Sequence, residues 1–126
     1  MRSFKTAIII FALLIASAFF YNYVLYHTSK TLSESLSPVI TLLREEKFDD
    51  AYLLLVDFEE EYEKFDGLLA VLINHYETDQ IKSSIKKLIE YCRGNEKTES
   101  LAEAANLHLL VSHLAQKESV NIRNIL

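Results

Sequence analysis

Apolar and polar positions divide this 126-residue chain into one unbroken apolar stretch followed by amphipathic segments. Residues 6–26, TAIIIFALLIASAFFYNYVLY, hold no charge, no Gly and no Pro, and Lys5 and Lys30 are the nearest charges on either side. A helix of that length rises ~32 Å, enough to cross a hydrocarbon layer of ~30 Å. A lone span in lipid must satisfy its backbone internally, so the stretch is expected to be a transmembrane helix. Beyond it no segment alternates apolar and polar positions long enough for a strand, and only Pro38, Gly67 and Gly94 interrupt helix-friendly sequence. An all-α domain is expected.

The breakers divide that domain. Residues 27–37, rich in Ser and Thr, read as a polar connection or helix start. Pro38 suits a first turn, placing a helix at about 37–46. Lys47-Phe48-Asp49-Asp50 reads as a turn with Asp49 as N-cap, before a second helix at about 50–64. Gly67 marks the next break, a long third helix covers 68–92, and Gly94-Asn95 caps it. Thr98 would cap a fourth helix at 99–115, leaving a tail at 116–126. The joint around Glu45-Glu46-Lys47 recurs at Gly94-Asn95-Glu96, so the chain reads as two helical hairpins, tetratricopeptide-like in local pattern. Two hairpins fall short of a solenoid, and a closed bundle of about four helices is expected at 38–126. In the third helix Ala70, Asn74, Ile81, Ile85, Leu88 and Cys92 share one face, while Leu68, Leu69, Leu72, His75, Tyr76 and Asp79 share the opposite one.

Charge orients the chain. Residues 1–5 carry Arg2 and Lys5, which favours a cytoplasmic N-terminus and an extracytoplasmic domain. Tyr21, Tyr23 and Tyr26 suit the headgroup layer at the far end of the span. The alternative is a signal peptide cleaved after Ala18, because Ala16-Ser17-Ala18 has the small-residue pattern of a cleavage site; the domain would then be secreted. After the span 11 of the 13 Lys and Arg face all 18 acidic residues, a formal net charge of −7. That balance argues against nucleic acid, whose affinity needs clustered basic residues. Cys92 is the single cysteine, which excludes an internal disulfide and suits a small buried group.

No Gly-rich phosphate loop, G-x-S-x-G, H-E-x-x-H or C-x-x-C occurs, so neither a cofactor nor an enzymatic activity is expected. His75 and Asp79 are four apart on one helix face, a spacing compatible with a metal, and His113 is the third candidate because it stands as far beyond Gly94 as His75 stands before it. His108 falls among Leu101, Ala104, Ala105 and Val111 and reads as a core histidine. The run from Asp57 to Asp66 holds six acids against Lys64 and reads as a solvated face or a docking surface for a basic partner. The chain closes on Asn124-Ile125-Leu126, apolar enough either to seal the bundle end or to meet a partner.

Several of these residues also carry a family likeness. His75-x-Glu77-x-Asp79 followed by Ile81, then Tyr91, His113, Glu118-Ser119 and the closing Asn124-Ile125-Leu126, resemble the bacterial family known as domain of unknown function 4363. Phe48-Asp49-Asp50-Ala51 also fits, whereas Phe65 stands where a tryptophan would be expected. The resemblance covers nearly the whole chain and implies a small, anchored, helical protein of mostly spore-forming Gram-positive bacteria, without an established activity, substrate or cofactor. It draws attention to His75, Glu77, Asp79, His113 and Asn124 without giving them roles. The expectation is a single-pass membrane protein, anchored in the bilayer through residues 6–26, whose outer helical domain binds another membrane or envelope protein. The alternatives are a metal-binding sensor or enzyme using His75, Asp79 and His113, or a ligand-binding domain marked by an apolar pocket of roughly 300 Å³ between the hairpins.

Overall fold

The computed structural model describes the backbone of residues 1–125 and the side chains of residues 1–116. Within that range the chain is all-α, with helices α1 (Arg2–Arg44), α2 (Phe48–Leu72), α3 (His75–Arg93) and α4 (Lys97–Ile125). Each helix packs on the next, and α4 returns to pack on α1, so the four close into an antiparallel ring around one core.

The core is written as a spacing. Buried side chains recur at alternating intervals of four and three: Leu25, Ser29, Leu32, Leu36, Val39 and Leu43 on α1; Ala51, Leu55, Phe58 and Tyr62, then Leu69, on α2; Thr78, Ile81, Ile85, Leu88 and Cys92 on α3; Ser100, Ala104, Leu107, Val111 and Leu114 on α4. This is the narrow stripe of coiled-coil packing, in which each row of side chains inserts between rows of its neighbours. The phase expected for Ile81, Ile85, Leu88 and Cys92 is therefore the observed one, whereas Ala70 and Asn74, expected on the same face, precede α3, and Leu69, expected on the opposite face, is buried in the same core.

The two hairpins are structural copies offset by 49 positions, seven heptads. Ser29, Leu32, Leu36, Val39 and Leu43 of α1 coincide with Thr78, Ile81, Ile85, Leu88 and Cys92 of α3, and Ala51, Leu55, Phe58 and Tyr62 of α2 with Ser100, Ala104, Leu107 and Val111 of α4. The turns repeat as well. Glu46 N–H donates to Leu43 O and Lys47 N–H to Leu42 O; Asn95 N–H donates to Cys92 O and Glu96 N–H to Tyr91 O. These are Schellman closures, with Glu46 (φ 59°) and Asn95 (φ 55°) in the left-handed conformation that the motif requires. Asn95, not Gly94, carries the positive φ, so the left-handed work of this turn falls to asparagine.

Five expected boundaries differ. Residues 27–37 do not connect two elements: they are helical and part of α1, because the Ser and Thr residues hide an intact core stripe in which Thr28 and Ser29 are themselves buried. Pro38 lies inside α1 on its exposed side and does not begin a helix. Gly67 does not end α2; the helix passes through it to bury Leu69, and the break falls at extended Ile73 and at Asn74, whose side-chain oxygen accepts from Tyr76 N–H at 3.0 Å. Such an N-cap satisfies a donor that the helix cannot, and it outweighs one glycine as a boundary. The expected third helix is thereby divided between α2 and α3. Lys47, not Asp49, is the N-cap of α2, and no separate tail exists over 116–125, where α4 continues. The side chains of Asn124 and Ile125, and Leu126 entirely, lie outside the described residues.

Helix α1 has two halves. Residues 1–20 are exposed throughout, whereas Val24 and Leu25 are buried in the bundle. Of the expected span at 6–26, the last six residues thus stand beside or within the bundle. Among the described residues α1 is the one helix long and apolar enough to cross a membrane, and its place near the N-terminus suits a signal sequence as well.

Candidate functional site

Helix α2 does not present its acidic run as one face. Glu61 turns toward α1 and accepts from the Ser35 hydroxyl at 2.7 Å, while Asp57, Glu60 and Glu63 are exposed. Glu59, Tyr62 and Asp66, at i, i+3 and i+7, turn toward α3, where Lys82 and Lys86 sit one helical turn apart. Lys82 Nζ lies 2.9 Å from Asp66 Oδ2 and Lys86 Nζ 3.3 Å from Glu59 Oε1. With Ile85 at its floor, the group lines an open cleft of about 310 Å³ between the two helices. The volume matches the ligand pocket anticipated between the hairpins; most of its lining residues are charged, with their carbon stems, Tyr62 and Ile85 supplying the apolar surface.

Polar capacity in this cleft is unevenly used. Glu59 Oε2, Asp66 Oδ1 and the Tyr62 hydroxyl are buried without a hydrogen-bond partner. Tyr62 is only 1 % exposed. Burial, and then the negative charges of Asp66 and Asp79, push its phenol well above the usual tyrosine range, so it stays protonated. The hydrogen bond to Asp66 chiefly, and then the charges of Asp66, Asp79 and Glu63, hold the Lys82 ammonium above its ordinary value.

The histidines are distributed elsewhere. His75 and Asp79 both lie on the first turns of α3 and are exposed. His113 is exposed too and borders a small hollow of about 80 Å³ with Glu77, Ile81, Leu110 and Leu114, so its acidic neighbour is Glu77. Among the described residues no group of three or more His, Cys, Asp or Glu side chains is arranged to hold a metal ion. His108 is exposed, which corrects its expected place in the core: the α4 stripe runs through Ala104, Leu107 and Val111, leaving His108 beside it. Cys92 is buried as expected, its thiol donating to Phe48 O at 3.2 Å; burial and then the charge of Asp49 raise its pKa.

Glu59, Tyr62 and Asp66 escaped notice in the sequence because they are embedded in six acids. The signal was their spacing, which matches the core stripe of α2, opposite a lysine pair four apart.

An apolar helix leading into a closed four-helix ring, with a charged seam between its central helices, defines an all-α bundle protein. The chain belongs to the family Domain of unknown function (DUF4363), whose model matches residues 19–125. The match confirms the resemblance carried by the His75, Tyr91 and His113 motifs, and it begins just before Tyr21, where side chains first meet the bundle. Neither the curated proteins nor the solved structures contain a match to the chain.

Proposed function

We propose that this protein is a membrane-anchored module on the outer face of a bacterial cytoplasmic membrane, and that its bundle binds another membrane or envelope protein. The observation that supports the reading is the continuity of α1. Its exposed residues 1–20 are almost all apolar beyond Lys5, a surface that water disfavours and a bilayer accepts, and the same helix then enters the core with no linker. Arg2 and Lys5 favour a cytoplasmic N-terminus.

An unbroken helix holds the bundle at a fixed attitude to the lipid. The end it turns toward the bilayer carries Val71, 82 % exposed, and Tyr76 around the α2–α3 turn, with Tyr23 and Tyr26 on α1. Groups of this kind suit the headgroup layer. Confinement to a surface raises the local concentration of a partner in the same membrane, so contacts of modest affinity suffice.

Alkaline carbonate should leave the full chain in the membrane pellet, and mass spectrometry should find residues 1–18 retained. Release, together with a new N-terminus after Ala18, would replace the anchor by a secreted domain. Cross-linking in intact membranes before solubilisation in mild detergent should capture a membrane or envelope protein. Recovery of neither a partner nor a self-associated form would remove the binding half of the proposal.

A further inference from the structure

The two hairpins provide an internal control on the α2–α3 cleft. Shifted by 49 positions, Glu59, Tyr62, Glu63 and Asp66 of α2 become His108, Val111, Ser112 and Ala115 of α4, and Lys82 and Lys86 of α3 become Ser33 and Ser37 of α1. The α4–α1 seam is the more extensively packed of the two, with Val111 fully buried and no carboxylate or lysine at these positions. The fold closes such a seam with uncharged residues. The charges between α2 and α3 therefore serve something other than closure.

What they lack is donors. Two carboxylates each give one oxygen to a lysine and leave the other, Glu59 Oε2 or Asp66 Oδ1, buried and unpartnered beside the unpartnered Tyr62 hydroxyl. Leaving buried polar atoms unpaired is costly, so a ligand that brings donors gains what the free protein forgoes. Four carboxylates act here, Glu59, Glu63, Asp66 and Asp79, against Lys82 and Lys86, for a local balance of −2. Glu59 and Asp66 are seven residues apart, about 10.5 Å along the helix, which is too far for one small ion to serve both. The volume, about 310 Å³, lies at the lower end of small-ligand sites.

We propose that the α2–α3 cleft binds a linear aliphatic diamine in its diammonium form. One ammonium donates to Asp66 Oδ1 and the Tyr62 hydroxyl oxygen, the other to Glu59 Oε2, and the methylene chain lies along Ile85. Two positive charges match the local balance, and ammonium–carboxylate hydrogen bonds are the stronger, charge-assisted kind. Lys82 and Lys86 keep their present oxygens, so binding breaks no ion pair.

The test is calorimetric titration of the full-length protein in detergent micelles, with micelles alone as blank. The probes are 1,7-diaminoheptane and 7-aminoheptan-1-ol, which has the same length and one ammonium fewer. The diamine should bind at least about tenfold more tightly, and its affinity should fall with added salt. Asp66→Asn should bring the diamine down to the level of the amino alcohol, and Tyr62→Phe should weaken it by several fold, both with the cooperative melting transition of the bundle retained. His108→Ala, at the equivalent position of the other seam, should change nothing. Equal binding of the two probes overturns the proposal without recourse to any variant, and so does diamine binding that Asp66→Asn leaves intact; the cleft is then a hydrated seam.

Discussion

Ser35 of α1 and Ser84 of α3 occupy the same position in the two hairpins, and each hydroxyl donates a 2.7 Å hydrogen bond to a glutamate of the following helix, Glu61 and Glu103 respectively. The bonds fix the register of each hairpin, since the apolar stripes alone would tolerate a slip by one heptad. Ser84 is the more constrained: it is buried, and Asn106 Nδ2 lies 3.5 Å from its oxygen and 3.1 Å from Glu103 Oε1. A hydroxyl bonded to a carboxylate contributes more than a neutral pair. Ser84→Ala should therefore cost about 1–2 kcal/mol and Ser35→Ala less, because Ser35 is only half-buried. Urea midpoints at an unchanged slope give both values; a Ser84 variant as stable as wild type would mean that Asn106 alone holds Glu103.

Ile85 is 1 % exposed at the middle of the α3 stripe and belongs to the single core shared by all four helices. A carboxylate there would be desolvated in the core, next to Lys82 and Lys86, whose ammoniums already hold Asp66 and Glu59. Ile85→Asp should destabilise the bundle by more than about 3 kcal/mol and unfold it at ambient temperature. Leu36→Asp, at the equivalent position of α1, should do the same. Thermal melts followed by circular dichroism decide the matter, and a cooperative wild-type-like transition in either variant would show that the ring tolerates an open core.

What could be read from sequence follows from which residues carry the stripe. In α3 it consists, after Thr78, of Ile81, Ile85, Leu88 and Cys92, all apolar, and the face was legible. In α1 the stripe passes through Ser29, with Thr28 beside it, and the surrounding serines and threonines imitate a linker; only burial within the bundle shows otherwise. Gly67 and Asn74 compete for one boundary, and the local rule favoured the glycine while a cap hydrogen bond favoured the asparagine. The cleft was least legible, since Glu59 and Asp66 differ from the other acids of the run only by the helix that stands opposite them.

Tyr62 links stability to pH. Its pKa in the folded protein lies above the ordinary tyrosine value of 10.0, first through burial and then through Asp66 and Asp79. As pH rises past 10.0 an unfolded tyrosine loses its proton while folded Tyr62 keeps its own, so unfolding releases a proton and stability falls. Below that value the contribution is fully present. Tyr62→Phe should abolish this part of the alkaline loss, and it should be neutral to stabilising near pH 7, by up to about 1 kcal/mol, because it removes a buried hydroxyl without a partner. Urea midpoints of both proteins at about pH 8 and about pH 11 test the sign. Equal alkaline losses would place the Tyr62 hydroxyl in contact with solvent.

Gly67 stands in the interior of α2 at an exposed position, and a Cβ added there would meet nothing within 4 Å. Its backbone is helical with negative φ, so no left-handed requirement reserves the site for glycine. In the unfolded chain glycine is the more flexible residue, and in a helix it is less favourable than alanine by roughly 0.8–1 kcal/mol. Gly67→Ala should stabilise the bundle by about 0.5–1 kcal/mol, raising the urea midpoint with no change in slope. The neighbouring Leu69 would keep its buried place, since the substitution alters neither helix register nor the Asn74 cap. A loss of stability would instead show that α2 uses flexibility at Gly67 to reach the α2–α3 turn, and that the expected boundary there has a physical counterpart.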